Sequence, residues 1–253
     1  MQNKILKTLI GALAAIVFWL IVWEAIAMRI DVAFIFPSFK SVLSSLVSLL
    51  GSKVFYSTVF HSFLRILGGL VIGIALGIVL APLTKYFTPA RVLIAPLMTV
   101  ARATPVASFI MVLWLLIGSD SVPLTITALM VTPIVWQNLS DGFGAIDPEL
   151  DEVCRVYRIR GFKRFKILVA PTLIKYLIPG IITSAGLAWK SGIAAEIIAY
   201  TSDSIGREIY NAKAFLESEK MLAWTMVVII FSLIFEAILT FIGRRLVNGR
   251  SKG

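Results

Sequence analysis

At 253 residues, 58% hydrophobic and only 15% charged, with a mean hydropathy of +0.92, the chain is too apolar for a water-facing surface. Soluble domains run at about 45–50% apolar and about 25% charged residues. One cysteine (Cys154) and one histidine (His61) exclude an internal disulfide, a multi-cysteine metal site and histidine-rich metal chemistry.

The chain opens with an apolar run longer than a signal-peptide core, and no small-x-small site closes it, so it reads as a retained first span. Crossing the hydrocarbon takes about 20 mostly apolar residues, and six segments qualify: roughly 8–28, 62–82, 92–117, 122–139, 176–200 and 221–243. The expected fold is an all-α polytopic membrane protein.

Between the first two spans, Ser38 caps an amphipathic stretch over 38–50 with Val42, Leu43, Leu46, Val47 and Leu50 on one face. The second span carries Gly69, Gly73 and Gly77, four residues apart, a face on which another helix can approach closely. In the third span Pro96 and Pro105 flank Arg102, and a broken or kinked helix is expected.

The hydrophilic stretch after the fourth span reads as two short helices. Asp147 is a good N-cap and Pro148 suits the first helical position. Leu150, Val153, Cys154 and Tyr157 then share one apolar face of a helix of roughly 13 residues that ends at Gly161. Such a helix is marginal in water without a partner. Phe162, Phe165 and Val169 share a face of the second helix, which Pro171 limits or kinks before the fifth span.

With the N-terminus inside, the inner segments hold fifteen basic residues: Lys4, Lys7, Lys85, Arg91, Arg155, Arg158, Arg160, Lys163, Arg164, Lys166, Lys175, Arg244, Arg245, Arg250 and Lys252. The outer segments hold six: Arg29, Lys40, Lys53, Arg207, Lys213 and Lys220. That asymmetry places both termini in the cytoplasm. The net charge of +10 is then mostly a topology signal, and nucleic-acid binding is set aside.

Ionisable groups within spans are costly and face the bundle interior or a cavity. Glu24 and Glu236 stand near span ends and are read as reaching the interface. Arg102, Lys190 and Glu196 are the translocation-path candidates. Lys190 and Glu196 are six residues apart, off a common helix face, so each needs a partner from another helix or subunit. A buried structural ion pair is the equal alternative to a path-lining role.

Several segments resemble the permease subunits of binding-protein-dependent ABC importers. These carry a cytoplasmic motif EAA-x3-G-x9-I-x-L-P. Here the frame is Glu152-Val153-Cys154, with Arg158 at the glycine, Leu168 at the isoleucine, Ala170 at the leucine, and Pro171. Glutamate and proline keep their spacing; both alanines and the glycine are replaced, so Gly161 is the expected site of the break. HSFLRILGGLVIGIALGIVLAP, with Ser62, Arg65 and Gly69 in an S-x-x-R-x-x-x-G pattern, is similar to the family's second span. RATPVASFIMVLWLLIG is similar to its third, and GLAWKSGIAAEIIA with SIGREIYNAKAF to its fifth span and following outer loop. The likeness covers about 37–245 and points to the nitrate/sulfonate/taurine-type branch.

The resemblance implies a type I ABC importer permease fold. It divides the chain into residues 1–36 (tail and first span), a permease domain over 37–245 with a cytoplasmic coupling loop over 140–175, and a tail over 246–253. It implies that Leu150, Glu152, Val153, Cys154, Tyr157, Arg158, Gly161 and Pro171 serve ATPase coupling. It also implies cytosolic ATPase subunits that carry ATP and magnesium, an extracytoplasmic substrate-binding protein, and a second permease subunit, with a homodimer as the default. The setting would be a bacterial cell membrane. The chain has no G-x4-G-K-[ST] loop, so it has no P-loop ATPase site. No metal and no cofactor of its own is expected. A secondary transporter, a channel and a membrane-embedded enzyme are the rivals. The first two would not need a docking loop, and the third would need a catalytic constellation.

Overall fold

The computed structural model describes residues 2–32 and 34–249. Among them all regular structure is helical. Five helices are long and apolar enough to cross a membrane, or six if one sharply bent pair counts as a span.

The first span, α1 (Gln2–Ile30), is followed by α2 (Phe39–Leu50). Ser38 caps α2 as expected, its hydroxyl accepting from Ser41 N at 3.2 Å. The Glu24 carboxylate accepts from Phe39 N at 3.1 Å, and Trp23 Nε1 donates to Pro37 O at 3.0 Å. Glu24 therefore reaches back to α2's open first turn, where its charge also suits the helix dipole.

Helix α3 (Lys53–Tyr86) starts on a Ser52 cap. Its 34 residues make it about 51 Å long, well past a hydrocarbon core of about 30 Å. The third span is α4 (Thr88–Ala103) and α5 (Val106–Ile117), bent by 108°. The break falls at Thr104-Pro105 alone; Pro96 stays inside α4. Thr104 is pushed into extended backbone (φ −77°, ψ 135°) because its neighbour's ring blocks the helical region.

The fourth span is α6 (Val122–Gly144), followed by the short α7 (Pro148–Val156). Then come α8 (Gly161–Arg164), a π-helical turn (Phe165–Val169) and α9 (Ala170–Ala199). These three run on without interruption as one helix, Gly161–Ala199. Of the limit or kink expected at Pro171, the helix shows no end there but a local π turn just before it. In the π turn Ala170 N–H bonds to Phe165 O, and the widened turn absorbs the missing donor of Pro171. After α10 (Ile205–Ala214), α11 (Ser218–Gly249) closes the fold. It continues four residues into the stretch read as a tail; residues 250–253 lie outside the described residues.

The core is a three-helix seam of α3, α6 and α9. A Cβ on Gly69 would stand 2.6 Å from Thr127 Cβ, one on Gly73 2.6 Å from Val131 Cβ, and one on Gly77 2.6 Å from Val135 Cβ. The glycine stripe of α3 thus lies directly against α6. Gly192 of α9 is as close to Ile66 of α3. Trp189 anchors α11 to this seam, donating to Val228 O at 3.0 Å.

The starts of α3 and α11 meet at the stacked pair Phe55 and Trp224. At that same end, Thr201 after α9 bonds to Ser119 after α5. The opposite end gathers the end of α3 and of α6, at Tyr86 and Phe143, with the start of α9, where Gly142 meets Leu173 and Tyr176. We call these the α10 end and the α7 end.

Candidate functional site

Two features stand out: the α7 segment at one end, and two exposed cations within the spans.

Asp147 caps α7, its carboxylate accepting from Glu149 N at 2.8 Å, and Pro148 fills the first helical position. The helix has nine residues, shorter than expected, and it does not reach Gly161. It ends at Arg158, whose φ is +54°. Ile159 N bonds to Cys154 O at 2.7 Å and Arg158 N to Arg155 O at 3.1 Å, a Schellman-type ending. Arg158, at the family motif's glycine position, makes the left-handed turn itself, at a cost of about 1–2 kcal/mol. Gly161 is also left-handed, at φ +58°, and opens the next helix rather than closing the first.

A carboxylate locks this turn. Asp151 accepts from Arg164 Nε at 2.6 Å and from Arg155 at 3.1 Å. The Arg164 guanidinium, and after it that of Arg155, hold the Asp151 carboxyl below its ordinary value of 3.8. Since Arg164 belongs to the continuous Gly161–Ala199 helix, α7 is tied to the root of a span.

Leu150, Val153 and Tyr157 are exposed, as is Glu152. Cys154, the fourth member of the expected face, is buried and is not part of the open surface. Val156, 73% exposed, takes its place. Tyr157 at 75% and Phe162 at 78% extend the patch, and Phe162 stacks on Phe165. The open face is rotated from the one that spacing alone suggests. Periodicity finds which residues share a face; it does not find which edge of that face the chain's own core covers. Pro171 is half-buried in the first turn of α9, within the helix rather than on the α7 patch.

Within the spans, Lys190 and Arg102 are exposed, and neither has an acidic partner within salt-bridge distance among the described residues. Lys190 shares an uncovered stripe of α9 with Pro179, Thr183 and Leu187. Arg102 lies in the last turn of α4, just before the break. Helices α5 and α9 finish side by side, with Thr201 Oγ1 on Ser119 O at 3.0 Å and Ser202 Oγ on Asp120 Oδ1 at 2.7 Å. Those bonds, from the Ser202 hydroxyl first and its N–H second, hold the Asp120 carboxyl below its ordinary value.

Glu196 differs from Lys190 and Arg102. It is fully buried, and its Oε2 accepts from Ser62 Oγ at 2.9 Å and from Gly206 N at 3.1 Å. Among the described residues it pairs with no cation, and it lines no open face. Its partner Ser62 carried a signal in the sequence through the S-x-x-R pattern. The Asp151–Arg164 pair carried none, since its thirteen-residue separation crosses a turn.

The model of the family described as "Binding-protein-dependent transport system inner membrane component" matches residues 73–248. The chain belongs to this family. The taurine transport system permease protein of Escherichia coli (strain K12) is 25% identical over 94% of this permease and 87% of its own length. A putative aliphatic sulfonates transport permease protein of Bacillus subtilis (strain 168) is 22% identical over 91% and 84%. A probable ABC transporter permease protein of Brucella abortus (strain 2308) is 25% identical over 87% and 88%. Among solved structures, that of an amino acid ABC transporter with histidines superposes with a TM-score of 0.63 at 15% identity, over 76% of the permease and 93% of that chain; the likeness is one of fold. The permease is a multi-pass ABC importer subunit with the type I fold, a transport component.

Proposed function

We propose that this permease forms the translocation path for a small organic anion of the sulfonate class, and that cytosolic ATPases drive it through α7. The observation that carries this reading is the α7 patch. Leu150, Val153 and Val156 stand open on a short helix that Asp151 fastens to the root of a continuous span, and Tyr157 at its end and Phe162 in that root extend the open surface. A surface of that kind needs a partner to cover it, and it is placed to push on α9.

In this reading the α7 end faces the cytoplasm of a bacterial cell, with both termini on that side, in keeping with the excess of Lys and Arg there. ATP and magnesium bind on the partner ATPases. Closure of the ATPase pair moves α7, the Asp151–Arg164 pair passes the movement to α9, and the path swings between its two openings. A second permease copy faces the uncovered stripe of α9, and a loaded binding protein docks at the α10 end.

The substrate class rests on two supports. Lys190 and Arg102 are exposed cations within the spans with no acidic partner among the described residues, and the similar permeases of E. coli and B. subtilis are named for taurine and aliphatic sulfonates. Uptake of labelled taurine and alkanesulfonates into proteoliposomes holding the permease, its ATPase and its binding protein tests the reading. ATP-dependent accumulation supports it; accumulation without ATP, or none of any sulfonate, counts against it.

A further inference from the structure

At the α10 end, three elements meet on one buried carboxylate. The first N–H groups of a helix have no partner within it. In α10 each finds a side chain: Ile205 N donates to Ser62 Oγ at 2.9 Å, Gly206 N to Glu196 Oε2 at 3.1 Å, and Arg207 N to Ser204 Oγ at 3.0 Å. Ser62 in turn donates to Glu196 Oε2 at 2.9 Å. The root of α10 is therefore held by α3 through Ser62 and by α9 through Glu196. Approach is as close as backbone allows: a Cβ on Gly206 would lie 2.3 Å from Glu196 Cβ and 2.5 Å from Ile197 N. Beyond the root, Arg207 lies over the Tyr200 ring and Tyr200 OH donates to Asn211 Oδ1 at 2.9 Å, so α10 is fixed along its length. Tyr210, packed edge-on against Tyr200, keeps an exposed edge, and the following turn leaves Phe215 and Leu216 exposed.

Glu196 and Asp151 thus sit at opposite ends of one rod. Asp151 fastens α7 to the start of the Gly161–Ala199 helix, and Glu196 fastens α10 to its end. We propose that Glu196, oriented by Ser62, is the positioning residue through which docking at α10 is transmitted along this helix to α7. The proposal rests on the binding-protein-dependent reading above. Contact at the exposed edge of α10 tilts a helix rigidly joined to α9. The Ser62 link requires α3 to follow, so the two spans move together.

The test uses the full complex of permease, ATPase and binding protein in lipid nanodiscs. ATP turnover is read with and without loaded binding protein. S62A is expected to leave basal turnover and the yield of assembled complex unchanged and to reduce the stimulation by about fivefold or more. E196A is expected to abolish stimulation, and E196Q to retain most of it, because an amide oxygen still accepts from Ser62 Oγ and Gly206 N. Full stimulation in both S62A and E196A would overturn the proposal. So would basal and stimulated turnover falling by the same factor, the mark of a merely structural role. A wild-type complex that no loaded binding protein stimulates would overturn the binding-protein reading itself, and the proposal with it.

Discussion

Asp151 and Arg164 face each other at 2.6 Å across the turn between α7 and the root of the fifth span. This pair makes a nine-residue helix, too short to persist alone, a fixed extension of a membrane-crossing rod. Asp151→Asn removes the charge that holds Arg155 and Arg164. Amide hydrogen exchange across 148–160 is expected to speed up while that of α6 and α9 does not change. Coupled uptake is expected to fall more than ATP turnover, because the ATPase still binds but pushes on a loosened lever. Unchanged exchange at α7 would show that the pair adds nothing to its order.

The same pair sets a pH dependence. The folded carboxyl titrates below its ordinary value of 3.8, so its contribution is complete above that value and is lost as the pH falls through the lowered one. Exchange at α7 is expected to be flat from pH 7 to pH 5, after correction for intrinsic rates, and to rise only under stronger acid. In Asp151→Asn this acid-dependent rise should be missing. A transition near neutral pH would contradict the assignment.

Arg158 holds a left-handed conformation at φ +54°, where glycine is at ease. Relief of about 1–2 kcal/mol of strain, less about 0.5–1 kcal/mol for the added freedom of an unfolded glycine, leaves Arg158→Gly more stable by about 0.5 kcal/mol. Arg158→Val, β-branched in the same conformation, should lower the thermal midpoint. A fall in the midpoint for the glycine variant would mean that the Arg158 side chain itself stabilises the turn.

The turn also shows where the sequence was legible and where it was not. Asp147, Pro148 and the family motif placed α7, and Gly161 was the visible stop signal. The chain stops earlier, at an arginine, because the hydrogen bonds of the Schellman-type ending outweigh a modest backbone strain. The apolar runs located the spans, and the proline pair located the break in the third. Which proline breaks it was decided by the extended residue before Pro105, with Pro96 accommodated inside α4. The continuous Gly161–Ala199 helix was hidden because Pro171 argues for a stop unless a π turn absorbs it. Glu196 was legible as a costly charge but not as a clamp, since its partners Ser62 and Gly206 stand 134 and 10 residues away.

Gly73 meets Val131 too closely for a side chain, with only 2.6 Å from the position of a Cβ. Gly73→Ala should cost about 1–3 kcal/mol by overpacking, read as a lower thermal midpoint in detergent or nanodiscs. Adding Val131→Ala should recover part of that loss, giving a coupling between the two sites of about 0.5–3 kcal/mol. Strict additivity would mean that α3 and α6 do not touch there.

Lys190→Met should lower sulfonate uptake by about tenfold, on the order of 1.4 kcal/mol of lost attraction, with complex yield and basal ATP turnover unchanged. Lys190→Arg should retain most of the activity. Undiminished uptake by Lys190→Met would remove Lys190 from the path.

The central claim is that the open face of α7 is the seat of an ATPase subunit. It is tested most directly by placing a single cysteine at Val156 or Tyr157 in a Cys154→Ser background and cross-linking the assembled complex with a short thiol-to-amine reagent. A cross-link from both positions to the ATPase subunit, blocked when Val153→Asp is added, is the expected result. If both cysteines stay open to a water-soluble maleimide in a complex that is turning over ATP, and no cross-link to the ATPase forms, the claim is contradicted.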